Sequence, residues 1–281
     1  MADRLPIGVS LRSIRATPDW WLESARRLDA AGYAGVWSWD HFIGKGDRTV
    51  PVVEGWTILA AAAAITSRAT VGTFVINVMN RHPAVLARMA TTLQDLSGGR
   101  LILGIGIGGH PAEHRALGLP FPEAPERVAR LEEAIAVIRA LWSGGPVSRP
   151  SPFYPLDDAV VSVGASPPPP IVIGGETTAG ARLAGRLGDG WTAFDATFER
   201  DLPIYLEALA TAGRARADQR VLVGFQGGDW LARESSIAGS RWIDRPREAW
   251  AHWRDAGADG AILLARSTDD VDALVGATDR W

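Results

Sequence analysis

Five short stretches of this 281-residue chain carry residues able to do chemistry. Trp37-Ser38-Trp39-Asp40-His41 ends an apolar run in an ionisable pair. A histidine titrates near neutrality, so His41 can give or take a proton while a hydride moves elsewhere. Asp40 can hold the loop, or orient the imidazole if the backbone folds back. Neighbours in an extended strand point to opposite faces, so contact between the two is not assumed. The pair could also cap the loop and do nothing more. Gly72, inside Thr70–Asn77, lets a backbone or a ligand approach closely. Residues 104–109 match G-x-G-x-x-G, but His110-Pro111 follows where a dinucleotide fingerprint needs a helix opening on the last glycine. These glycines fit better as a surface on which a flat ring lies, at Ile107 and Gly108. His110-Pro111-Ala112-Glu113-His114 has a zinc-site spacing when both histidines share one helical face. Pro111 and the preceding glycines argue against a helix through His110, so no metal is expected there. Gly174-Gly175-Glu176-Thr177-Thr178 precedes a helical run. Free N–H groups, the helix dipole and two hydroxyls would converge there as a phosphate nest, although a plain capped helix is the alternative and Glu176 a mild objection. The chain has no cysteine, which excludes disulfides, thiolate metal sites and a thiol nucleophile.

These stretches need elements to position them. Eight short apolar runs read as strands buried on both faces, near Ile7–Leu11, Val36–Trp39, Thr70–Val75, Leu101–Ile105, Ile171–Ile173, Trp191–Phe194, Val221–Phe225 and Ala261–Leu264. Helical patterns alternate with them. Thr17-Pro18 opens one whose face carries Leu22, Ala25, Leu28 and Ala31. Pro83 opens another, with Leu86, Met89, Ala90, Leu93 and Leu96, closed by Gly98. Val128, Leu131, Ile135, Ile138 and Trp142 mark a third, and Ser267 with Asp270 resembles a capping box. A joint recurs between helix and strand: Ala31-Gly32-Tyr33-Ala34-Gly35 matches Ala256-Gly257-Ala258-Asp259-Gly260, and Leu187-Gly188-Asp189-Gly190 is a shorter version. In each, the first glycine can take the left-handed conformation that ends a helix. Alternating strands and helices mean a parallel sheet, and eight repeats favour a closed (β/α)₈ TIM barrel in a single domain over residues 1–281. The spacing breaks once, after the fourth strand. Proline-rich sequence at Pro111–Pro125, Pro146–Pro155 and Pro167–Pro170 reads there as an insertion of loops and a short hairpin around one helix.

A net charge of −3 and a pI near 6.0 offer no basic excess for nucleic acid. The longest apolar run, Ile58–Ile65, is far short of the ~20 residues needed to span a bilayer, and the start of the chain lacks a signal-peptide pattern. No membrane association is expected, and the cytoplasm is the default. Twelve tryptophans should serve largely as core and pocket wall.

Taken in order and spacing, several pieces resemble the luciferase-like family of flavin and deazaflavin oxidoreductases. They are Gly35-Val36-Trp37 with Asp40-His41, Thr73-Phe74-Val75, His82-Pro83-Ala84, Leu96-Ser97-Gly98-Gly99-Arg100-Leu101, Gly104-Ile105-Gly106, Gly174-Gly175, and Gly188-Asp189-Gly190-Trp191. The resemblance implies a barrel with a cofactor ring at the strand C-termini, supported by a non-prolyl cis peptide at Phe74-Val75. It implies that Gly174, Gly175 and Thr177, with Thr178 beside them, hold the cofactor phosphate. Asp40 and His41 would line the substrate side. The cofactor would be coenzyme F420, with an FMN-dependent monooxygenase as the alternative, and the partners a small-molecule substrate and a second copy in a homodimer. The sugar-phosphate dehydrogenase branch has an acid where Gly109 stands, and a Trp missing from Phe42-Ile43-Gly44-Lys45. That departure favours reduction of unsaturated or carbonyl substrates. A catalytically silent ligand-binding barrel is the reading from outside enzymology.

Overall fold

The computed structural model describes residues 4–44, 46–161, 167–225 and 236–281, so Lys45 of the departing loop and the first three residues lie outside the description. Eight parallel strands form the centre: β1 (Ile7–Leu11), β2 (Gly35–Ser38), β3 (Thr70–Thr73), β4 (Leu101–Gly106), β5 (Ile171–Gly174), β6 (Gly190–Phe194), β7 (Arg220–Gly224) and β8 (Gly260–Ala265). They pair in the order β3-β2-β1-β8-β7-β6-β5-β4, and β3 pairs back onto β4, closing the barrel. Each run that the sequence marks as a strand is one of these. β3 is interrupted at a cis Phe74-Val75 bond, after which Ile76–Asn77 adds two residues alongside the end of β4.

The strands are apolar on both alternations because both faces are covered. The interior holds Trp37, Ile102, Val172, Leu222 and Ile262, with Phe74 packed against them. Inward-pointing side chains fill a small barrel in this way, leaving a packed core rather than a pore. The Trp37 ring fills hollows in three adjacent strands: a Cβ added at Gly8, Gly35 or Gly72 would run into it. The outer face packs under the helices α1 (Pro18–Ala31), α2 (Gly55–Ile65), α3 (Pro83–Leu96), α5 (Ala124–Trp142), α6 (Thr178–Leu187), α7 (Asp195–Thr211), α8 (Pro246–Asp255) and α9 (Thr268–Ala277).

Local chemistry sets the helix ends. Thr17 accepts from the Trp20 amide and Ser267 from the Asp270 amide, each supplying an acceptor to an orphan N–H. Gly32 and Gly257 sit at φ +94° and +103°, left-handed as the joint requires. Gly188 differs. It is extended at φ −78°, and glycine is needed because a Cβ would lie 2.5 Å from the Gly190 carbonyl. On α3, Leu86, Ala90 and Leu93 are buried while Leu96, expected on the same face, is 51% exposed.

The insertion between β4 and β5 corrects the sequence reading. Besides α5 and the antiparallel hairpin Val147–Arg149/Leu156–Ala159, it contains a second helix, α4 (Pro111–Leu117). Pro111 stands at N1, where its missing N–H costs nothing, so the proline read as loop opens a helix instead.

Candidate active site

The C-terminal ends of β2–β6 converge on a cavity of about 810 Å³. Trp39–His41 follow β2, Phe74–Asn77 follow β3, Gly106–His110 end β4, Ile173–Thr177 end β5 and Thr192–Phe194 end β6. α5 supplies Ala124, Arg127, Val128 and Leu131 to the wall, and α6 supplies Ala179, Gly180 and Leu183. One end is aromatic and histidine-rich. The other is a glycine-lined helix N-terminus.

At the first end, His41 is half-buried and its Nδ1 lies 3.1 Å from Oε2 of Glu113. Glu113 comes from the first turn of α4, 72 residues away, and is 2% exposed. The same oxygen lies 3.1 Å from Nδ1 of His110, and Oε1 accepts the Phe42 amide at 3.0 Å. Burial pushes the Glu113 carboxyl up. The hydrogen bonds from His41, His110 and the Phe42 amide push it down by more, so it lies below the usual carboxylate range and stays ionised. An ionised carboxylate is acceptor-only, so both rings present Nδ1–H to it. Nε2 of each is then turned the other way, and both residues line the cavity.

Asp40 does not touch the His41 ring. It faces away, as strand alternation allows, and accepts from the Asn77 amide (2.9 Å), Asn80 Nδ2 (2.9 Å) and Arg81 Nη1 (2.8 Å to Oδ1). Arg81 goes on to Glu54 Oε1 at 2.5 Å, and Glu54 caps α2 through the Trp56 and Thr57 amides. Asp40 therefore ties the β2 loop to the segment after the cis peptide and to α2. Of the two roles open to it, the structure selects holding the loop.

His114 is buried and turned away from the other histidines. Its Nδ1 donates to the Pro120 carbonyl (3.0 Å), which leaves Nε2 to accept from Asn77 Nδ2 (2.7 Å). The two histidines of H-x-x-E-H thus do not face one point, because His110 is the N-cap of α4 and only His114 lies within it. The three side chains that do cluster are His41, His110 and Glu113.

At the other end, Thr177 is the N-cap of α6 and its Oγ1 accepts the Gly180 amide at 3.2 Å. Gly174, Gly175 and Thr177 line the cavity together with Phe74, Val75, Ile107 and Gly108; Thr178, the first residue of α6, is outside the lining. Glu176 is exposed beside them. Two further features escaped the sequence reading. Arg127 of α5 is the sole permanent cation among the described lining residues, and its Nε has no partner. Thr192 Oγ1 is buried in the lining without a hydrogen bond. A buried unpaired hydroxyl costs about 1–3 kcal/mol, so its place in a cavity wall suits a polar ligand. Free α6 amides, a guanidinium and this hydroxyl fit an anionic, ring-bearing cofactor. The apolar walls at Phe74, Val75, Ile107 and Phe194 suit its ring.

Comparison with known proteins agrees with this geometry. A sequence model of the luciferase-like monooxygenases matches residues 6–226. An F420-dependent glucose-6-phosphate dehydrogenase of Beutenbergia cavernae is 37% identical over 185 residues, covering 64% of this chain and 52% of that protein. The corresponding enzyme of Nakamurella multipartita is 36% identical over 254 residues, 86% of this chain and 70% of its own. A solved F420-dependent secondary alcohol dehydrogenase, in complex with an F420–acetone adduct, has the same fold: the TM-score is 0.83 at 20% identity, covering 99% of this chain and 98% of that one. The chain spans about half the length of the first curated relatives that it matches.

Proposed function

We propose that this chain, which belongs to the luciferase-like monooxygenase family, is a coenzyme F420-dependent oxidoreductase that moves a hydride between the deazaflavin and a small organic substrate. The observation that carries the reading is an imidazole, His41, held by Glu113 in a cavity that the N-terminus of α6 and the Arg127 guanidinium also line. The similar proteins that are F420-dependent dehydrogenases add the coenzyme.

Gly174, Gly175, Thr177 and Arg127 would hold the cofactor's anionic groups; Phe74, Val75, Ile107 and Gly108 would bear its ring. When bound, the deazaflavin supplies the hydride donor or acceptor. His41 supplies the matching proton, taking it from a substrate hydroxyl in oxidation and giving it to a carbonyl oxygen in reduction. Asp40 fixes the loop from which His41 projects. Glu113, four residues beyond Gly109, supplies an acid against His41, so the glycine at 109 does not leave this end of the cavity without one. The substrate class is a small alcohol or carbonyl compound.

We further propose one domain over residues 1–281, a cytoplasmic location and a homodimer that covers the exposed Ile65, Val85 and Leu96 on α2 and α3. No described helix is long and apolar enough to cross a membrane.

The direct test titrates F420 and FMN separately, following tryptophan quenching and heat. Tighter binding of the deazaflavin is expected. Micromolar FMN binding with no deazaflavin binding would replace this reading by an FMN-dependent monooxygenase. Light scattering in solution should give twice the 30.0 kDa chain mass, and a monomer would remove the dimer.

A further inference from the structure

A buried carboxylate shared by two histidines at a cavity mouth does more than neutralise charge. Oε2 of Glu113 lies 3.1 Å from Nδ1 of both His41 and His110, and the ring centroids are 5.7 Å apart at 85°. Oε1 is taken by the Phe42 amide at 3.0 Å, so the carboxylate cannot swing without losing a backbone partner. A neutral imidazole has one N–H, and which nitrogen bears it is set by the partner of the other. An ionised acceptor facing both Nδ1 atoms fixes both protons there. His41 and His110 come from different strand ends, and a residue of α4 binds both.

We propose that Glu113 is the positioning residue of the site: it locks His41 and His110 in the Nδ1–H tautomer, so that the cavity presents two unprotonated Nε2 atoms, one on His41 for proton transfer and one on His110 to accept a hydrogen bond from the same substrate. This rests on the oxidoreductase reading for the role of His41, but the tautomer itself does not. Glu113 touches no reacting atom and acts through the rings it holds. A substrate with two neighbouring hydroxyls is the kind that can use both Nε2 atoms, because each Nε2 is an acceptor.

The informative variant is Glu113→Gln. The amide keeps the shape and can still accept the Phe42 N–H through its oxygen. It must then turn its NH₂ toward the imidazoles. Two donors cannot face each other, so each histidine has to give up its Nδ1 proton and become the Nε2–H tautomer. The readout is long-range ¹H–¹⁵N NMR of histidine-labelled, cofactor-free protein at about pH 8, where an imidazole of ordinary pKa is neutral, with His110→Ala to assign the two rings. Expected are Nδ1–H patterns for both rings in the parent, the reversed pattern for both in Glu113→Gln, and an unchanged His41 pattern in His110→Ala. Turnover in Glu113→Gln should fall about 100-fold or more, with F420 affinity changed less than about twofold. An Nε2–H His41 in the parent, an unreversed pattern in folded Glu113→Gln, or parent-like turnover in that variant would overturn the proposal. So would stoichiometric zinc uptake that displaces the Nδ1 protons, which would make the cluster a metal site. Absence of F420 binding with the NMR result intact would sink the cofactor reading and leave the tautomer lock standing.

Discussion

Asp40 and Glu113 are both buried carboxylates at the same end of the barrel, and they differ in what they face. Asp40 accepts from a backbone amide, a carboxamide and a guanidinium, none of them a usual proton-transfer group. Glu113 accepts from one backbone amide and two imidazoles, the side chain most often used for proton transfer. The first is a closed knot that carries load from β2 to α2. The second opens onto the cavity through groups that can exchange protons. Asp40 adjoins His41 in the sequence, which leaves both holding the loop and orienting the imidazole open to it. Fold geometry separates them and gives His41 a partner 72 positions away. A carboxylate beside a histidine in sequence is thus no guide to which acid its ring meets.

Removing the knot should have the largest effect. Asp40→Ala leaves Arg81, whose side chain is 13% exposed, with Glu54 as its remaining counter-ion, and takes the acceptor from the Asn77 amide and the Asn80 carboxamide; breaking a buried pair costs about 3–5 kcal/mol when the other charge is left alone, which is the upper figure here because Glu54 stays. Urea unfolding should register that loss, and cofactor binding should disappear with the fold. A folded Asp40→Ala protein of parent stability would erase the distinction between the two carboxylates.

His41→Ala should do the opposite. Stability and cofactor affinity stay near those of the parent while turnover falls about 10²-fold or more, the usual worth of a general acid–base group. Near-normal turnover with any accepted substrate would reduce His41 to a wall residue.

Smaller still is Gly175→Val. A Cβ there comes 3.1 Å from the Gly180 Cα, so the first turn of α6 must shift slightly. An affinity loss of about tenfold, equivalent to ~1.4 kcal/mol, is expected for the cofactor without loss of folding. Unchanged affinity by calorimetry would move the phosphate away from this loop.

The smallest effect sharpens the comparison through pH. Glu113 is held below its ordinary value, so its contribution to stability is complete above the unfolded carboxyl pKa of about 4.3. It is lost as pH falls through the folded value. The stability gap between the parent and Glu113→Gln should therefore narrow as pH falls below about 4.3. A gap that stays fully open on further acidification would mean that it does not come from the ionised Glu113 carboxylate.

What was legible in the sequence follows from what is local. The strands announced themselves because burial on both faces demands unbroken apolar runs, and Thr17, Ser267, Gly32 and Gly257 marked helix ends because capping depends on a residue and its near neighbours. His41 and the Gly174–Thr177 turn were found because strand ends define the rim. α4 was missed because proline density reads as loop even where the first proline sits at N1. Glu113 and Arg127 were missed for a different reason: nothing within a few residues of either signals a partner that only the closed barrel brings near. Glu113 was visible only inside a zinc-like spacing, and Arg127 only as one more charge on a long helix.

The Trp37 ring lodged against Gly8, Gly35 and Gly72 has a consequence for how this chain can change over generations. Four positions on three strands form one fitted set. A side chain gained at any of the glycines collides with the indole. Shrinking the indole first opens a void in the barrel, at about 3–5 kcal/mol for a buried aromatic cut to alanine, against a typical total stability of about 5–15 kcal/mol. Both single steps lead downhill in fitness, so lineages should either keep the quartet intact or replace it in concert. Descendants that drift freely over the rim loops would inherit the floor beneath them as a fixed block.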